Sequence, residues 1–518
     1  MRFVLSKVAL VLLALCLFVL KTTAQIVHSD NGNGTYTNPV IPADFPDPDV
    51  IRVGDTYYFV STTMFVFPGV TILKSKDLVN WEYCANAIPR FDFGNCYDLD
   101  GCNAYGHGQW ATSIKYHDGK FYLLFITLTD NKSTGFMVTA TKPEGPWTVT
   151  KLPKGFYDPG LFFDDNGKVY VAQGYNNISI TEVNDKLEPL TKDSLVFKGD
   201  IRRGLEGTHV YKINGYYYMY STYGGADGIQ VAFRSKNIYG PYEEKVVLRD
   251  TTKGVNFGVH QGALIQTQTG EWWTILFVDS GPFGRFPSLQ PVTWVDGWPM
   301  VGVDGKGVIT YRKPNVGKTY PVITFPTSDE FNTGKLGMQW GWNHNPDPTN
   351  WSFTARPGYL RLTTGKVVTN LTEARNTLTQ RPFAKRDQTI PTIATTEVDV
   401  AHLKEGDNAG LAVFQKPYAY IAVRKEKGSN YVVMVNDSKA VDSVKVTANT
   451  VYLRTIASNS SKKATFEYST DNKNFKQVGN ALNMKFDLKI FTGNKFCLFN
   501  YATKETGGYA DFNWFRVE

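Results

Sequence analysis

Three acidic residues stand in comparable places along the chain, each beside a segment that is rich in aromatic and β-branched residues. Asp47 lies in the segment FPDPD, Asp158 in YDPG and Glu206 in RGLEGTH. Carboxyl groups at matching points of a repeated β unit can converge on one cavity. There, one of them can donate a proton while another accepts one. Two opposed carboxyl groups of this kind are the groups that hydrolyse a glycosidic bond.

Other acidic residues compete with Asp47 for the same role. Asp44 and Asp49 lie within three residues of it. Because alternate residues of a strand face the same side, Asp49 can point in the same direction as Asp47, one step further along. An Asp before Pro is also a common turn residue, so the local sequence alone leaves Asp47 and Asp158 open to a structural reading.

The segments around these acids belong to a repeat. Five times the chain presents a turn at Gly, followed by an aromatic or β-branched run, at Gly54, Gly119, Gly167, Gly215 and Gly270. The spacing averages about 50 residues, and a repeat of this length with several strands is typical of a β-propeller blade. The repeat therefore predicts an all-β fold with a five-bladed β-propeller over residues 37–315. An ordinary antiparallel protein with frequent turns is the alternative.

The pattern changes after a linker near residues 313–318. Short alternating strands follow, for example at residues 395–400, 409–414 and 431–435. Regular short strands separated by turns are typical of a two-sheet sandwich. We expect a β-sandwich domain over residues 325–518.

The N-terminus has the pattern of a secretory signal. Arg2 and Lys7 precede an apolar run from Val8 to Leu20, and small residues end at Ala24. This predicts a signal peptide over residues 1–24, a flexible polar leader over residues 25–36, and an exported protein, periplasmic or extracellular. A membrane anchor is the alternative, but the apolar run is short for a membrane span.

Charge and cysteine content exclude some classes of function. The formal net charge of +7, minus the three basic residues of the predicted signal peptide, leaves +4, without a dense Lys/Arg stripe. This is not the footprint of a nucleic-acid-binding protein. No Cys/His spacing is typical of a zinc site. In an exported protein Cys96 and Cys102 can bridge within one loop, although free buried thiols are an equal possibility.

An ordered series of motifs resembles glycoside hydrolase family 43. The matching segments, in one-letter code and in chain order, are NPV, DPD, FPGV, SKDLVNW, YDPG, EGTH and GVHQG, spread over residues 37–312. The region from about residue 325 resembles the concanavalin-like sandwich that many members carry. The resemblance implies a five-bladed β-propeller followed by this sandwich.

The resemblance also implies roles for the residues in these motifs. Asp47 would be the general base of an inverting reaction, Glu206 the general acid, and Asp158 the residue that orients the acid and raises its pKa. Three further residues match substrate-binding positions, each with a structural alternative: Arg285 (a surface ion pair), Trp110 (core packing) and His260 (a hydrogen-bonded core histidine).

On this resemblance, the first expectation is an exo-acting hydrolase that releases terminal α-L-arabinofuranose from plant cell-wall side chains such as those of xyloglucan or arabinoxylan. A β-xylosidase is the first alternative, and a carbohydrate-binding protein without turnover is the alternative of another class. No cofactor is required, although the resemblance allows a Ca²⁺ ion near the propeller axis. The partner is an oligo- or polysaccharide, and the sequence does not determine the oligomeric state.

Overall fold

The computed structural model describes residues 28–129, 132–200, 202–225, 227–250 and 258–518. The predicted signal peptide over residues 1–24 lies outside the described residues. Residues 28–36 fall in the predicted leader, yet they contribute an ordered strand. Thr35–Thr37 pairs antiparallel with Thr310–Arg312, and Tyr36 is fully buried. The burial of this aromatic side chain explains the order of a segment whose other residues are mostly polar.

The first part of the described chain is a five-bladed β-propeller, as predicted. Each blade is an antiparallel sheet whose main strands pair in chain order, and the second blade also holds the short strand Gly108–Gln109. The main strands, blade by blade, are Asp49–Val53, Thr56–Ser61, Gly69–Ser75 and Trp81–Ile88; Ser113–His117, Lys120–Thr129, Lys132–Ala140 and Thr148–Lys151; Gly160–Phe163, Val169–Gln173, Asn177–Val183 and Ser194–Lys198; Leu205–Ile213, Tyr216–Tyr223, Ile229–Ser235 and Glu243–Leu248; and His260–Gln266, Trp272–Asp279, Arg285–Val295 and Trp298–Val301.

The repeated glycines make the first turn of each blade. Gly54, Gly119, Gly167, Gly215 and Gly270 all have positive φ, between 63° and 92°. A residue with a Cβ adopts this conformation at a cost, so glycine is favoured where the first two strands of each blade reverse direction. This is why the spacing of the glycines predicts the blades.

The second part of the described chain is a concanavalin-like β-sandwich of two sheets. The strands of one sheet, in spatial order, are Lys439–Val446, Ser429–Asn436, Ala419–Glu426, Asp407–Phe414, Lys495–Ala502, Leu378–Gln380, Trp340–Asn343 and Val66–Phe67. The strands of the other are Trp351–Ser352, Leu360–Thr363, Tyr509–Val517, Thr392–Asp399, Thr450–Ser458, Lys463–Ser469 and Lys476–Gln477, with Leu482–Asn483 beside Lys463–Ser469. Short 3₁₀ helices lie at Asn95–Asp98, Gly281–Phe283, Pro348–Asn350 and Leu371–Glu373.

The propeller and the sandwich are joined by backbone pairing. Val66–Phe67, from a loop of the first blade, pairs antiparallel with Trp342–Asn343 and so completes one sheet of the sandwich. At a second point, the carboxylate of Asp44 accepts hydrogen bonds from the backbone N–H of Arg285 and of Gly493. These contacts fix the sandwich against the cavity end of the propeller.

The cysteine pair in the propeller loop is bridged. Cys96 and Cys102 form a disulfide, whereas Cys84 and Cys497 are buried free thiols. Among the described residues, no helix has the length and apolar character that a membrane crossing requires.

Candidate active site

One cavity of about 610 Å³ receives residues from matching positions of all five blades. In each blade the contributing residue lies just before the first strand or at its beginning. These residues are Asp47, Trp110, Asp158, Glu206 and His260. With Arg285, which begins the third strand of the fifth blade, all six predicted site residues line this cavity. The repeat therefore brings together residues that are up to 238 positions apart.

Asp47 and Asp158 enter the cavity from left-handed turns. Their φ angles are 54° and 46°, in a region that non-glycine residues rarely occupy. Each turn directly precedes the first strand of its blade and places the acidic residue in the cavity wall. Such backbone conformations in non-glycine residues concentrate at functional sites.

Asp47 is a buried carboxylate held on both oxygens. Thr62 Oγ1 donates a hydrogen bond to Oδ2 at 2.6 Å, and Arg285 Nη1 donates one to Oδ1 at 2.6 Å. The guanidinium group and the hydroxyl fix the orientation of the carboxylate. A carboxylate held in this way is ready to accept a proton from a molecule in the cavity.

Glu206 is a carboxyl group that retains a proton near neutral pH. Burial is the larger cause and the negative charge of Asp47 is the second; together they raise its pKa to about 7. The phenol of Tyr157 donates a hydrogen bond to Oε2 at 3.3 Å and works against this rise. A protonated, partly accessible carboxyl group of this kind is suited to general acid catalysis.

Asp158 is the most buried member of this group of acids. Burial and the charges of Glu206 and Asp47 raise its pKa well above the usual range, against an opposing hydrogen bond from Gly207 N–H. Asp47, Asp158 and Glu206 repel one another when ionised, and the Arg285 guanidinium pairs with Asp47, so the cavity retains at least one proton at neutral pH. The repulsion between Asp158 and Glu206 is mutual, so the two acids titrate as a coupled pair, and the role of Asp158 in raising the pKa of Glu206 stays a prediction.

Arg285 presents unused donors to the cavity. Nη1 binds Asp47, but among the described residues Nε and Nη2 are buried without a hydrogen-bond partner. The guanidinium carbon lies 5.2 Å from the ring centre of Phe277 and 5.1 Å from that of Phe491. The rings exclude water around the cation, and its free N–H groups can bind a hydroxyl group of a ligand. Arg285 is therefore not a surface ion pair.

His260 and Trp110 complete the ring of blade residues. Nδ1 of His260 lies against the carbonyl oxygen of Gly258, and burial lowers the pKa of the imidazole. It is therefore neutral at pH 7. The Trp110 ring lies 5.1 Å from Phe491 and 6.4 Å from Tyr157, and its buried Nε1 has no partner among the described residues.

The sandwich also lines the cavity, which the sequence analysis did not predict. Phe486, Leu488 and Phe491 lie between the strands Leu482–Asn483 and Lys495–Ala502, and all three line the cavity. No local motif marks this segment as part of a site. Tyr157 was also missed, although its position next to Asp158 was a usable signal.

The two competitors of Asp47 have structural partners. Asp49 is fully buried and accepts hydrogen bonds from Lys115 Nζ at 3.0 Å and from Ile114 N–H at 2.8 Å. Asp44 binds the two backbone N–H groups at the seam between propeller and sandwich. Of the three neighbouring acids, Asp47 is the one that lines the cavity.

A Ca²⁺ site is not evident in the side chains that line the cavity. Ca²⁺ prefers six to eight oxygen ligands. The described part of the chain contains no group of three or more His, Cys, Asp or Glu side chains arranged to hold a metal ion. The Ca²⁺ ion that the resemblance allowed stays a prediction, and the chemistry proposed below uses side chains alone.

Comparisons with known proteins agree with this architecture. The sequence model described as "Glycosyl hydrolases family 43" matches residues 36–299, and the one described as "Beta xylosidase C-terminal Concanavalin A-like domain" matches residues 328–518. A β-xylosidase of Formosa agariphila is 36% identical, with 94% of this chain and 91% of that protein covered. The non-reducing end alpha-L-arabinofuranosidase BoGH43B of Bacteroides ovatus is 34% identical, with 73% of each chain covered.

Solved structures give the same result. A bifunctional GH43-CE protein of Bacteroides eggerthii superposes with a TM-score of 0.85 at 38% identity, with 93% of this chain covered. The present chain spans 63% of that longer protein. The GH43B protein of the Bacteroides ovatus xyloglucan locus superposes with a TM-score of 0.82 at 29% identity, with 93% of this chain and 99% of that chain covered. The chain belongs to glycosyl hydrolase family 43 and is a glycosidase with a β-propeller and a concanavalin-like domain.

Proposed function

We propose that the protein is an exo-acting, inverting hydrolase that removes terminal pentoses from plant cell-wall polysaccharides such as xylan, arabinoxylan or xyloglucan. The observation that carries this proposal is the shared cavity of Asp47 and Glu206, one a fixed carboxylate and the other a carboxyl group with a pKa of about 7. These are the two protonation states that single-step displacement of a glycosidic oxygen requires.

In the proposed reaction Asp47 accepts a proton from a water molecule as the water oxygen attacks the anomeric carbon. Glu206 transfers its proton to the bridging oxygen as the bond between the anomeric carbon and that oxygen breaks. One C–O bond forms and one breaks, and the configuration at the anomeric carbon inverts. Asp158 helps to retain protons in the cavity, and Arg285 orients Asp47 and binds the sugar.

The proposed exo action is supported by the shape of the site. Phe486 and Phe491 come from the sandwich and line the cavity together with the propeller residues. Phe491 also packs against Trp110 and the Arg285 guanidinium, so this side of the cavity is bounded by apolar rings. A site bounded in this way favours a terminal sugar over the middle of a polymer.

β-D-Xylose is the first candidate for the released sugar. Several relatives at 30% identity or more carry the name β-xylosidase, including the Formosa agariphila protein. α-L-Arabinofuranose, the first expectation of the sequence analysis, is the second candidate, and the name of BoGH43B supports it. The same acids can hydrolyse the glycosides of both sugars. The preference for xylose over arabinose therefore rests on the relatives' names and not on the carboxyl groups.

Hydrolysis of 4-nitrophenyl β-D-xyloside and 4-nitrophenyl α-L-arabinofuranoside tests the proposal, with NMR detection of the anomer that forms first. We expect release of one or both pentoses with inversion, and loss of that activity in Asp47→Asn, which removes the base whatever the leaving group is. Binding of xylo-oligosaccharides without hydrolysis of any substrate would instead support the non-catalytic carbohydrate-binding protein. First release of the retained anomer would contradict the assignment of Asp47 as a base.

The cellular location is proposed from the N-terminal sequence. We propose that this signal-like segment directs export to the periplasm or the medium, because the polysaccharides of the plant cell wall are located outside the cell. Cleavage after Ala24 would give a mature N-terminus at Gln25, which sequencing of the protein from its native host would detect.

A further inference from the structure

Tyr175 stands at the rim of the cavity and differs from most of its neighbours there. It lines the cavity, yet 54% of its surface is exposed, whereas Asp47, Asp158, His260 and Arg285 are buried. It follows the strand Val169–Gln173, in a turn where Gly174 has a φ of 132°. Single exposed apolar residues are common on protein surfaces, so the significance of Tyr175 comes from its place at the rim of the cavity and from the contacts that hold its ring.

The ring of Tyr175 is held in place although it is exposed. Its centre lies 6.2 Å from that of Tyr157 in an edge-to-face arrangement. On another side it approaches Gly204, where a Cβ would lie 3.1 Å from the phenol oxygen. Gly204 is two residues before Glu206, so Tyr175 is anchored beside the strand that carries the general acid.

The space next to Glu206 is open on the side of these residues. The phenol of Tyr157 donates a hydrogen bond to Oε2 of Glu206. Gly224 lies beside Oε1, and a Cβ at this position would be 2.9 Å from that oxygen. Gly224 and Gly225 both line the cavity, and neither has a side chain to fill it. The leaving oxygen must approach the proton of Glu206, so the sugar that departs with that oxygen has to occupy space beside this residue.

We propose that Tyr175 is the stacking platform for the leaving-group sugar, an inference that rests on the glycosidase function proposed above. The apolar C–H face of a pyranose matches the face of an aromatic ring. A ring that is already fixed by Tyr157 and Gly204 loses little conformational freedom when it binds the sugar. Tyr175 thus favours substrates whose leaving group is a sugar.

The test compares two substrates that share the terminal pentose and differ in the leaving group. One is the glycosyl fluoride, which has no leaving-group sugar, and the other is the matching disaccharide, for example xylobiose. Tyr175→Ala should lower kcat/KM for the disaccharide about tenfold, through a higher KM, and leave the value for the fluoride within about twofold. Tyr175→Phe retains the ring and should retain both activities.

Leu488→Ala is the matched control, because Leu488 is 69% exposed and lines the same cavity from the sandwich. It should not discriminate between the two substrates. Equal loss on both substrates in Tyr175→Ala, or no loss on either, would overturn the role of Tyr175. If the unmodified protein hydrolyses neither these substrates nor the nitrophenyl glycosides, the proposed function itself fails, and this outcome is distinct from the first two.

Discussion

Two of the sites in the propeller that hold buried carboxyl groups differ in charge compensation. The cavity acids withheld from water are Asp47, Asp158 and Glu206, and the cation that lines the same cavity, Arg285, pairs with Asp47. Asp49, only two residues after Asp47, has Lys115 at 3.0 Å and His209 at 3.5 Å. Burial alone would raise the pKa of Asp49, but these partners and the Ile114 N–H outweigh it and hold its pKa below the usual value.

The comparison shows that burial does not decide whether a carboxyl group is reactive. Each site removes carboxyl groups from water, which favours the neutral form. Where hydrogen-bond donors and a cation surround one acid, the acid stays ionised and is structural. Where three acids lie close together and the nearby guanidinium pairs with one of them, the cavity retains protons that can be transferred. The balance of nearby charges separates Asp47 from Asp49, and the following predictions test that difference.

The largest expected effect is on catalysis at the cavity acids. Asp47→Asn removes the base and should lower kcat by about 10²–10⁴-fold, to a similar degree for aryl and sugar leaving groups. Glu206→Gln removes the acid and should lose more activity on the disaccharide than on the nitrophenyl glycoside, because nitrophenolate departs without protonation. Steady-state kinetics on both substrates would show this; the same leaving-group dependence in both variants would contradict the division of roles.

The next effect is on stability at Asp49. Asp49→Asn leaves the charge of Lys115 without its buried partner and should lower the free energy of unfolding by about 3–5 kcal/mol. Urea denaturation measures this change. Asp304→Asn, the same chemical change at an exposed turn residue, is the control and should change stability by less than about 0.5 kcal/mol. Equal stability of the two variants would show that Asp49 is not a structural charge.

The pH dependence of activity should follow the pKa of Glu206. This residue must be protonated to act as the acid, and its pKa is about 7. We therefore expect kcat/KM for the disaccharide, whose leaving group needs the proton, to fall about tenfold for each pH unit above that value. A profile measured from about pH 5 to pH 9 with constant enzyme stability checks this. A plateau that extends to pH 9 would exclude Glu206 as the group that titrates.

The smallest expected effect is on stability at Glu206, and its sign is opposite to that at Asp49. The pKa of folded Glu206 is about 7, above the ordinary value of 4.5, so its stabilising contribution is present below pH 4.5 and is lost as the pH rises through 7. Glu206→Gln removes this loss and should raise the free energy of unfolding by about 3 kcal/mol at pH 8, with no gain at about pH 4.5. An equal change at both pH values would mean that ionisation is not its cause.

Much of the fold could be predicted because its signals are local. The five glycines with positive φ mark turns that depend on their own backbone conformation, and the aromatic runs after them mark the strands. The repeat then places residues just before equivalent strands at one end of the propeller. For this reason the repeat indicated Asp47, Asp158 and Glu206, whereas the resemblance to the family indicated Arg285, Trp110 and His260.

The amino-acid sequence by itself determined the blades and the three acids that the blades bring to the cavity, since short-range turn and strand preferences repeat along the chain. Only the tertiary structure decided which acid reacts and what closes the cavity. Lys115 neutralises Asp49 from 66 positions away, and Phe491 reaches the Arg285 guanidinium from 206 positions away. Electrostatic compensation and packing depend on such distant neighbours, and no local pattern encodes them.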